Sequence, residues 1–134
     1  MKNRRKRLPI SIESLITSIK KSEHTCVQYK ILIIEDESNG NFNGFDNKSV
    51  RYKYITHVRV ETGVKWTRSG LLNVGIKRSS TEWLAFVDVD FLFHEDYCTS
   101  LAKIIKKVNC SNTILASNLI ETELHIKDNL VYSA

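Results

Sequence analysis

Residues 30–38 read Lys-Ile-Leu-Ile-Ile-Glu-Asp-Glu-Ser, in which four consecutive apolar residues lead directly into acidic ones. An uninterrupted run of branched apolar residues is typical of a strand buried on both faces of a parallel sheet. We therefore predict a strand over residues 30–34. Glu35 and Asp36 would then lie at its carboxyl end, which is where open α/β sheets bind their ligands.

A second stretch repeats this layout later in the chain. Residues 83–90 read Trp-Leu-Ala-Phe-Val-Asp-Val-Asp, so we predict a second buried strand over residues 83–87. Side chains two residues apart in an extended segment leave on the same side, so Asp88 and Asp90 could converge on one cation. Magnesium or manganese suits such a pair, because both prefer carboxylate oxygens and keep positions for phosphate oxygens. The alternative is an ordinary strand exit with two solvated acids.

Periodicity predicts the elements around these two strands. Helical spacing of apolar residues predicts helices over residues 11–21, 67–79 and about 95–108. Alternation predicts a half-exposed edge strand over residues 50–54, and residues 113–116 and 124–132 predict a further strand and a hairpin. The predicted inward faces of the three helices are Ile12, Leu15, Ile16 and Ile19; Leu71, Leu72, Gly75 and Ile76; and Tyr97, Leu101, Ile104, Ile105 and Val108. This order of elements predicts an α/β fold with a mostly parallel sheet flanked by helices.

Composition bounds the classes of function. The 134 residues, 42% of them hydrophobic and 26% charged, indicate one soluble globular domain over residues 1–134. No apolar run approaches the ~20 residues of a membrane span, and no signal peptide pattern is present. The three cysteines, Cys26, Cys98 and Cys110, form no metal or disulfide pattern. We therefore expect a cytoplasmic protein with no transmembrane segment and with reduced thiols.

Charge gives a weaker indication of the partner. The formal net charge of +5 favours an anionic partner without choosing one, and much of it lies in the basic N-terminal segment, residues 1–7. No aromatic residues interleave with these charges as stacking platforms for bases. A nucleic-acid partner is therefore the disfavoured interpretation, and a solvated basic terminus is preferred.

Individual polar residues could contact a nucleotide. Glu35 and Asp36 could accept hydrogen bonds from a ribose or a base, and Arg68 could bind a diphosphate, because guanidinium suits paired oxygens. Each also has a plain structural interpretation, as a turn acid or a solvated helix residue. His94 is the only histidine close in sequence to Asp88 and Asp90, and we favour a solvated role for it over a metal ligand. Walker A, G-x-G-x-x-G and G-x-S-x-G motifs are absent from the sequence.

Three ordered stretches resemble the nucleotide-sugar-binding half of the GT-A fold glycosyltransferases, in particular family-2-like members. They are residues 31–38, residues 66–77 (Trp-Thr-Arg-Ser-Gly-Leu-Leu-Asn-Val-Gly-Ile-Lys) and residues 83–93. The second stretch is similar to that of the animal galactosyltransferases. The resemblance implies a GT-A-like sheet, a UDP-type nucleotide-sugar donor, a glycan or other hydroxyl acceptor, and Mn or Mg at the D-x-D motif.

The resemblance also implies roles for single residues. Asp90 matches the acid that usually holds the metal, and Asp88 matches the acid nearer the ribose, so both are metal candidates. Asp36, with Glu35 beside it, matches the acidic pair that contacts the nucleoside. Arg68 matches an arginine of the galactosyltransferase-like motif. We therefore assign Glu35, Asp36, Arg68 and Asp88 to nucleotide binding, whereas no catalytic base is named.

Some positions depart from the family pattern. Glu35 and Glu37 stand where Asp and Gly are usual, and Leu72 stands where many family-2 members have Arg. Matched to the family, the chain begins after the first strand and ends before the acceptor-binding half, which implies an incomplete domain. We therefore expect the strands at residues 31 and 83 to pair directly or to use a strand from a partner, as in a homo-oligomer.

The leading hypothesis is therefore a glycosyltransferase. One alternative is a nucleotide-sugar-binding module or pseudoenzyme that keeps the donor motifs without transferring a sugar. The other is a small basic protein that binds nucleic acid through residues 2–7. Calorimetry with UDP, with and without Mn, separates the donor-site hypotheses from the last one.

Overall fold

The computed structural model describes residues 4–36, 53–60, 68–108, 113–115, 124–127 and 130–133. The described elements in chain order are α1 (Arg4–Lys21), β1 (Ile31–Asp36), β2 (Ile55–Val60), α2 (Arg68–Arg78), α3 (Tyr97–Lys107), β3 (Leu124–Lys127) and β4 (Leu130–Ser133). A short 3-10 turn, Glu23–Thr25, follows α1. Helices together with a parallel strand pair confirm the predicted α/β class. None of the described helices is long and apolar enough to span a bilayer.

The most buried part of the described chain lies where α1 packs against α3. Ile12, Ile16 and Ile19 of α1 are buried, as are Cys98 and Ala102 of α3. The three isoleucines follow the i, i+4, i+7 spacing of one helix face, so this part of the predicted core is confirmed. The two buried α3 residues are small, which allows the helices to approach closely.

The predicted start of α1 and the predicted face of α3 need correction. Helix α1 begins at Arg4 rather than at residue 11, and Pro9 lies inside it. Proline cannot donate to the carbonyl four residues earlier, so the helix lacks one hydrogen bond there and continues on both sides of it. On α3, the predicted core residue Ile104 is exposed. The helix is rotated so that Cys98 and Ala102 lie at the centre of the contact.

Strands β1 and β2 form a parallel pair in which Ile31 lies opposite Ile55 and Asp36 lies opposite Val60. A parallel pair agrees with the predicted mostly parallel sheet, but the partner strand lies later than the edge strand predicted over residues 50–54. Lys53 and Tyr54 form a turn instead, and residues 50–52 lie outside the described chain. Residues 55–60, Ile-Thr-His-Val-Arg-Val, are rich in the β-branched side chains that fit a pleated surface.

Helix α2 packs on β1 through a face that matches the predicted one only at Leu71 and Gly75. A Cβ added to Gly75 would lie 2.8 Å from Cδ1 of Ile34, so the helix and the strand are in close contact at this point. Leu71 and Val74 are half-buried beside Gly75. Leu72 and Ile76, which we predicted to face inward, are exposed. The contacting face therefore comprises residues 71, 74 and 75.

The second buried strand, predicted over residues 83–87, is not observed. These residues belong to neither of the two described sheets, and Leu84, Phe86 and Val87 are exposed. Direct pairing of the strands at residues 31 and 83 is therefore wrong, because residues 83–87 are irregular and pair with no described strand. An apolar run indicates a preference for burial, but it does not specify the pairing partner. Pairing with a strand of a second copy stays a prediction.

The C-terminal predictions have mixed outcomes. Residues 113–115 form no strand, and residue 116 lies outside the described chain. The hairpin is confirmed, because β3 and β4 pair antiparallel with Leu124 opposite Ser133 and Lys127 opposite Leu130. Cys110 lies outside the described residues.

Candidate functional site

Asp88, Val89 and Asp90 lie at a tight turn. The N–H of Phe91 donates to the carbonyl of Asp88 with an N···O distance of 3.4 Å, which closes the turn. Residues 83–88 before it are irregular. The expected extended geometry, in which strand alternation aims both carboxylates to the same side, is therefore wrong. Aspartate is favoured at the first position of such turns, and Asp88 occupies that position.

An arginine of α2 binds Asp88. The Nη2 of Arg68 donates to Oδ1 of Asp88 at 2.8 Å. Arg68 is the first residue of α2, and the two side chains are 65% and 48% exposed, so the ion pair faces solvent. The structure thus brings together two predicted site residues that are 20 positions apart in the sequence.

A second arginine, from the basic N-terminal segment, lies beside Asp90. The Nη1 of Arg7 in α1 is 3.7 Å from Oδ2 of Asp90, and the side chains are 53% and 38% exposed. Sequence reasoning missed Arg7 as a site residue, because nothing in the periodicity of α1 connects it to residue 90. The only available signal was the run of basic residues, which we assigned to a solvated terminus.

Helix α1 also binds the backbone that follows the turn. The Oγ of Ser14 accepts the N–H of Phe93 at 3.0 Å, and the Oγ of Ser18 accepts the N–H of Cys98 at 2.8 Å. Residues 7, 14 and 18 are seven and four positions apart, so they share one side of α1. One side of this helix therefore contacts the chain from residue 90 to residue 98.

Lys21 continues this series at the end of α1. Its Nζ lies 2.8 Å from a carboxylate oxygen of Glu95 and 2.8 Å from one of Asp96. The hydrogen bonds that Lys21 donates to Asp96 and Glu95 raise the pKa of Lys21, and the one to Asp96 lowers the pKa of Asp96. The Nδ1 of His94 accepts the N–H of Asp96 at 3.2 Å. His94 is thus engaged beside the start of α3.

Glu35 and Asp36 leave β1 toward opposite faces, because consecutive residues of a strand alternate. On one face, Oε2 of Glu35 lies 3.1 Å from Nε2 of His57 and 3.7 Å from Nε of Arg59. Both partners are on β2, and the His57 side chain is nearly buried. The Glu35 carboxylate is therefore engaged in contacts across the strand pair.

Asp36 lies on the opposite face, which it shares with Ile34. Because Ile34 contacts Gly75, this is the face that α2 covers. Helix α2 also carries Arg68, the partner of Asp88. Of the two acids predicted to contact a nucleoside, Asp36 is therefore the one on the same side of the sheet as Arg68.

Asp88 and Asp90 supply a donor set that suits a hard divalent cation. Both offer partly exposed carboxylates, and each already lies next to a positively charged group. Magnesium commonly needs only one or two protein carboxylates, because substrate phosphates and water complete its coordination. Among the described residues, no three His, Cys, Asp or Glu side chains lie close enough together to hold a metal. By ligand type alone, the two carboxylates suit such a cation.

Comparison with known proteins adds family evidence to this geometry. The family named Glycosyl transferase family 2 matches residues 1–125. The matched range contains the D-x-D turn and its two arginines. No curated protein and no solved structure is significantly similar to the chain.

Proposed function

Because the chain belongs to glycosyltransferase family 2, we propose that it binds a UDP-type nucleotide-sugar donor with Mn²⁺ or Mg²⁺ and transfers the sugar to a hydroxyl acceptor. The parallel strand pair flanked by α2 is consistent with a GT-A-like fold. The observation that best supports the proposal is the ion pair between Arg68 and Asp88. This ion pair places a helix arginine that could bind phosphate next to an acidic turn that could bind a metal ion.

Each candidate residue has a role in this proposal. Asp88 and Asp90 would hold the cation through their carboxylates, and Arg68 would bind diphosphate oxygens with its planar pair of N–H donors. Asp36 would accept hydrogen bonds from the nucleoside. Glu35 has the weaker claim, because it leaves β1 on the face opposite to the one that α2 covers. When bound, the cation would stabilise the negative charge that develops on the leaving diphosphate.

The amino end of α2 adds favourable electrostatics at the same place. The first N–H groups of a helix have no intrahelical acceptor, and the helix dipole is positive at that end. Arg68 begins α2, so its side-chain charge and the helix dipole have the same sign. Both would attract a nucleotide diphosphate to the surface beside Asp88.

Calorimetry with UDP tests the proposal. We expect wild-type protein to bind UDP roughly tenfold or more tightly with Mn²⁺ than without it, which corresponds to about one strong charge-assisted contact. Asp90→Asn and Asp88→Asn are expected to remove most of this metal dependence. Glu95→Gln is the matched control, because it removes one carboxylate from the same segment while Lys21 keeps Asp96 as a partner.

Two results would contradict the proposal at different levels. Failure of wild-type protein to bind UDP in either condition would exclude the donor site. Binding of UDP without sugar release or transfer from any UDP-sugar would instead indicate a binding module that lacks transferase activity. Transfer of a sugar to a hydroxyl acceptor, lost in Asp90→Asn, is the expected outcome.

A further inference from the structure

We propose that Arg7 is an exchangeable partner of the D-x-D turn: it neutralises Asp90 when no metal is bound and turns to the diphosphate when a metal–nucleotide complex binds. This inference rests on the proposed function and assigns a donor-side role to a residue of α1. The two carboxylates of the turn face two different arginines, Arg68 at 2.8 Å from Asp88 and Arg7 at 3.7 Å from Asp90. Arg68 therefore pairs with Asp88, and Arg7 is the positively charged residue that lies beside Asp90.

The charges at the turn explain why an exchange is favourable. The charges of the two carboxylates and the two guanidinium groups sum to zero. A divalent cation that binds alone must therefore compete with two positively charged groups for the carboxylates. A nucleoside diphosphate carries roughly three negative charges at neutral pH. It offers the displaced guanidinium groups new anionic partners while the cation takes the carboxylates. Metal and nucleotide should therefore bind cooperatively, and the cooperativity should depend on Arg7.

The geometry allows Arg7 to change partners without moving the backbone. The 3.7 Å separation from Asp90 is longer than a hydrogen bond, and both side chains are partly exposed, so the pair is weak and easily broken. The backbones of α1 and of the chain after the turn are held together, because Arg7 lies within α1 and Ser14 of the same helix accepts the N–H of Phe93. Only the long arginine side chain has to swing.

Measurements of two affinities test this role. We would measure binding of Mn²⁺ alone by electron paramagnetic resonance, and binding of UDP in saturating Mn²⁺ by calorimetry. Arg7→Gln should bind Mn²⁺ alone about two- to fivefold more tightly, because a competing charge is gone. It should bind UDP with Mn²⁺ roughly five- to twentyfold more weakly, because a phosphate contact is gone.

Two further variants separate a specific role from a general effect of charge. Lys20→Gln removes the same charge from α1 at an exposed position about 20 Å along the helix and about 220° around it, so both affinities should stay near wild type. Arg7→Lys keeps the charge and loses the planar fork, so both affinities should fall between those of wild type and Arg7→Gln.

The two proposals fail in distinguishable ways. If Arg7→Gln changes neither affinity more than Lys20→Gln does, or moves both in the same direction, the exchange role of Arg7 is wrong, although UDP binding by the wild type still supports the donor site. If wild-type protein binds no UDP with Mn²⁺, the proposed function fails and the inference fails with it. Circular dichroism of each variant checks that α1 remains helical.

Discussion

The Oγ of Ser18 in α1 accepts the backbone N–H of Cys98 in α3 at 2.8 Å, and both residues are buried. The first N–H groups of a helix have no partner within the helix and are commonly bound by a side chain just before it. Here the preceding residue, Asp96, makes no such bond, and its carboxylate contacts Lys21 instead. A serine of a neighbouring helix thus binds an N–H at the amino end of α3.

Ser18→Ala tests how much this contact contributes to stability. The substitution leaves a buried N–H without its acceptor, so we expect the free energy of unfolding to fall by about 1–2 kcal/mol. Urea denaturation followed by circular dichroism measures it. Thr17→Ala is the control, because Thr17 is the exposed neighbour and bonds only within α1. An equal decrease in the free energy of unfolding of the two variants would show that the contact with Cys98 does not stabilise the fold more than a local helix contact does.

The cysteines should differ strongly in reactivity. Cys98 is only 1% exposed, and burial raises the pKa of its thiol, whereas Cys26 is exposed. Because the thiolate is the reacting form, Cys98 should be alkylated at least about tenfold more slowly than Cys26 in the folded protein. A brief iodoacetamide pulse followed by peptide mass mapping measures both rates. Similar rates in the folded protein would contradict the packing of α1 on α3.

Tyr29 should make stability fall at high pH. Its Oη donates to the carbonyl of Cys98 at 2.7 Å, and burial raises its pKa from 10.0 to about 12. The unfolded chain loses this proton at lower pH, so the stabilisation is fully present below the unfolded value and is lost as pH rises through the folded value.

The measurement is the free energy of unfolding as a function of pH, together with the absorbance of tyrosinate. Wild-type stability should decline between pH 10.0 and about 12, and Tyr29→Phe should show a smaller decline in that window. Some decline should remain in the variant, because burial also raises the pKa of Tyr97. An unchanged pH profile in Tyr29→Phe would rule out this assignment.

Sequence reasoning succeeded where the determinant is local. The spacing of Ile12, Ile16 and Ile19 specifies an inward helix face without reference to the rest of the chain, and these residues are buried. It failed at residues 83–87, because a run of apolar residues does not specify which strand it pairs with. It also placed the start of α1 too late, because Pro9 costs one hydrogen bond but does not end the helix.

The candidate site shows the same division. Asp88 and Arg68 could be selected from the resemblance, but their contact depends on where α2 packs. Alternation along β1 already places Glu35 and Asp36 on opposite faces of the sheet. Only the contact of Ile34 with α2 shows that the face of Asp36 is the one on which Arg68 lies. Arg7 could not be selected at all, because its proximity to Asp90 depends on the tertiary path of the chain.

Gly75 of α2 lies against Ile34 of β1, and a side chain at position 75 would require the terminal methyl of Ile34 to move. A Cβ at position 75 would be 2.8 Å from Cδ1 of Ile34, which is closer than real carbon contacts. Arg68 precedes Gly75 by seven residues, about 10 Å along the helix axis. A displacement of α2 at this contact would therefore also shift Arg68 relative to Asp88.

A double-mutant cycle tests this coupling between packing and site. Gly75→Ala alone gains about 1 kcal/mol of helix propensity but loses about 1–3 kcal/mol to overpacking, so stability should stay level or fall. Ile34→Val removes Cδ1, so in that background Gly75→Ala should raise the free energy of unfolding by up to about 1 kcal/mol. Under the proposed function, UDP affinity should be weakened in Gly75→Ala and recover in the double variant. Additive effects on stability would show that Gly75 and Ile34 do not constrain each other, and the position of Arg68 would then require a different support.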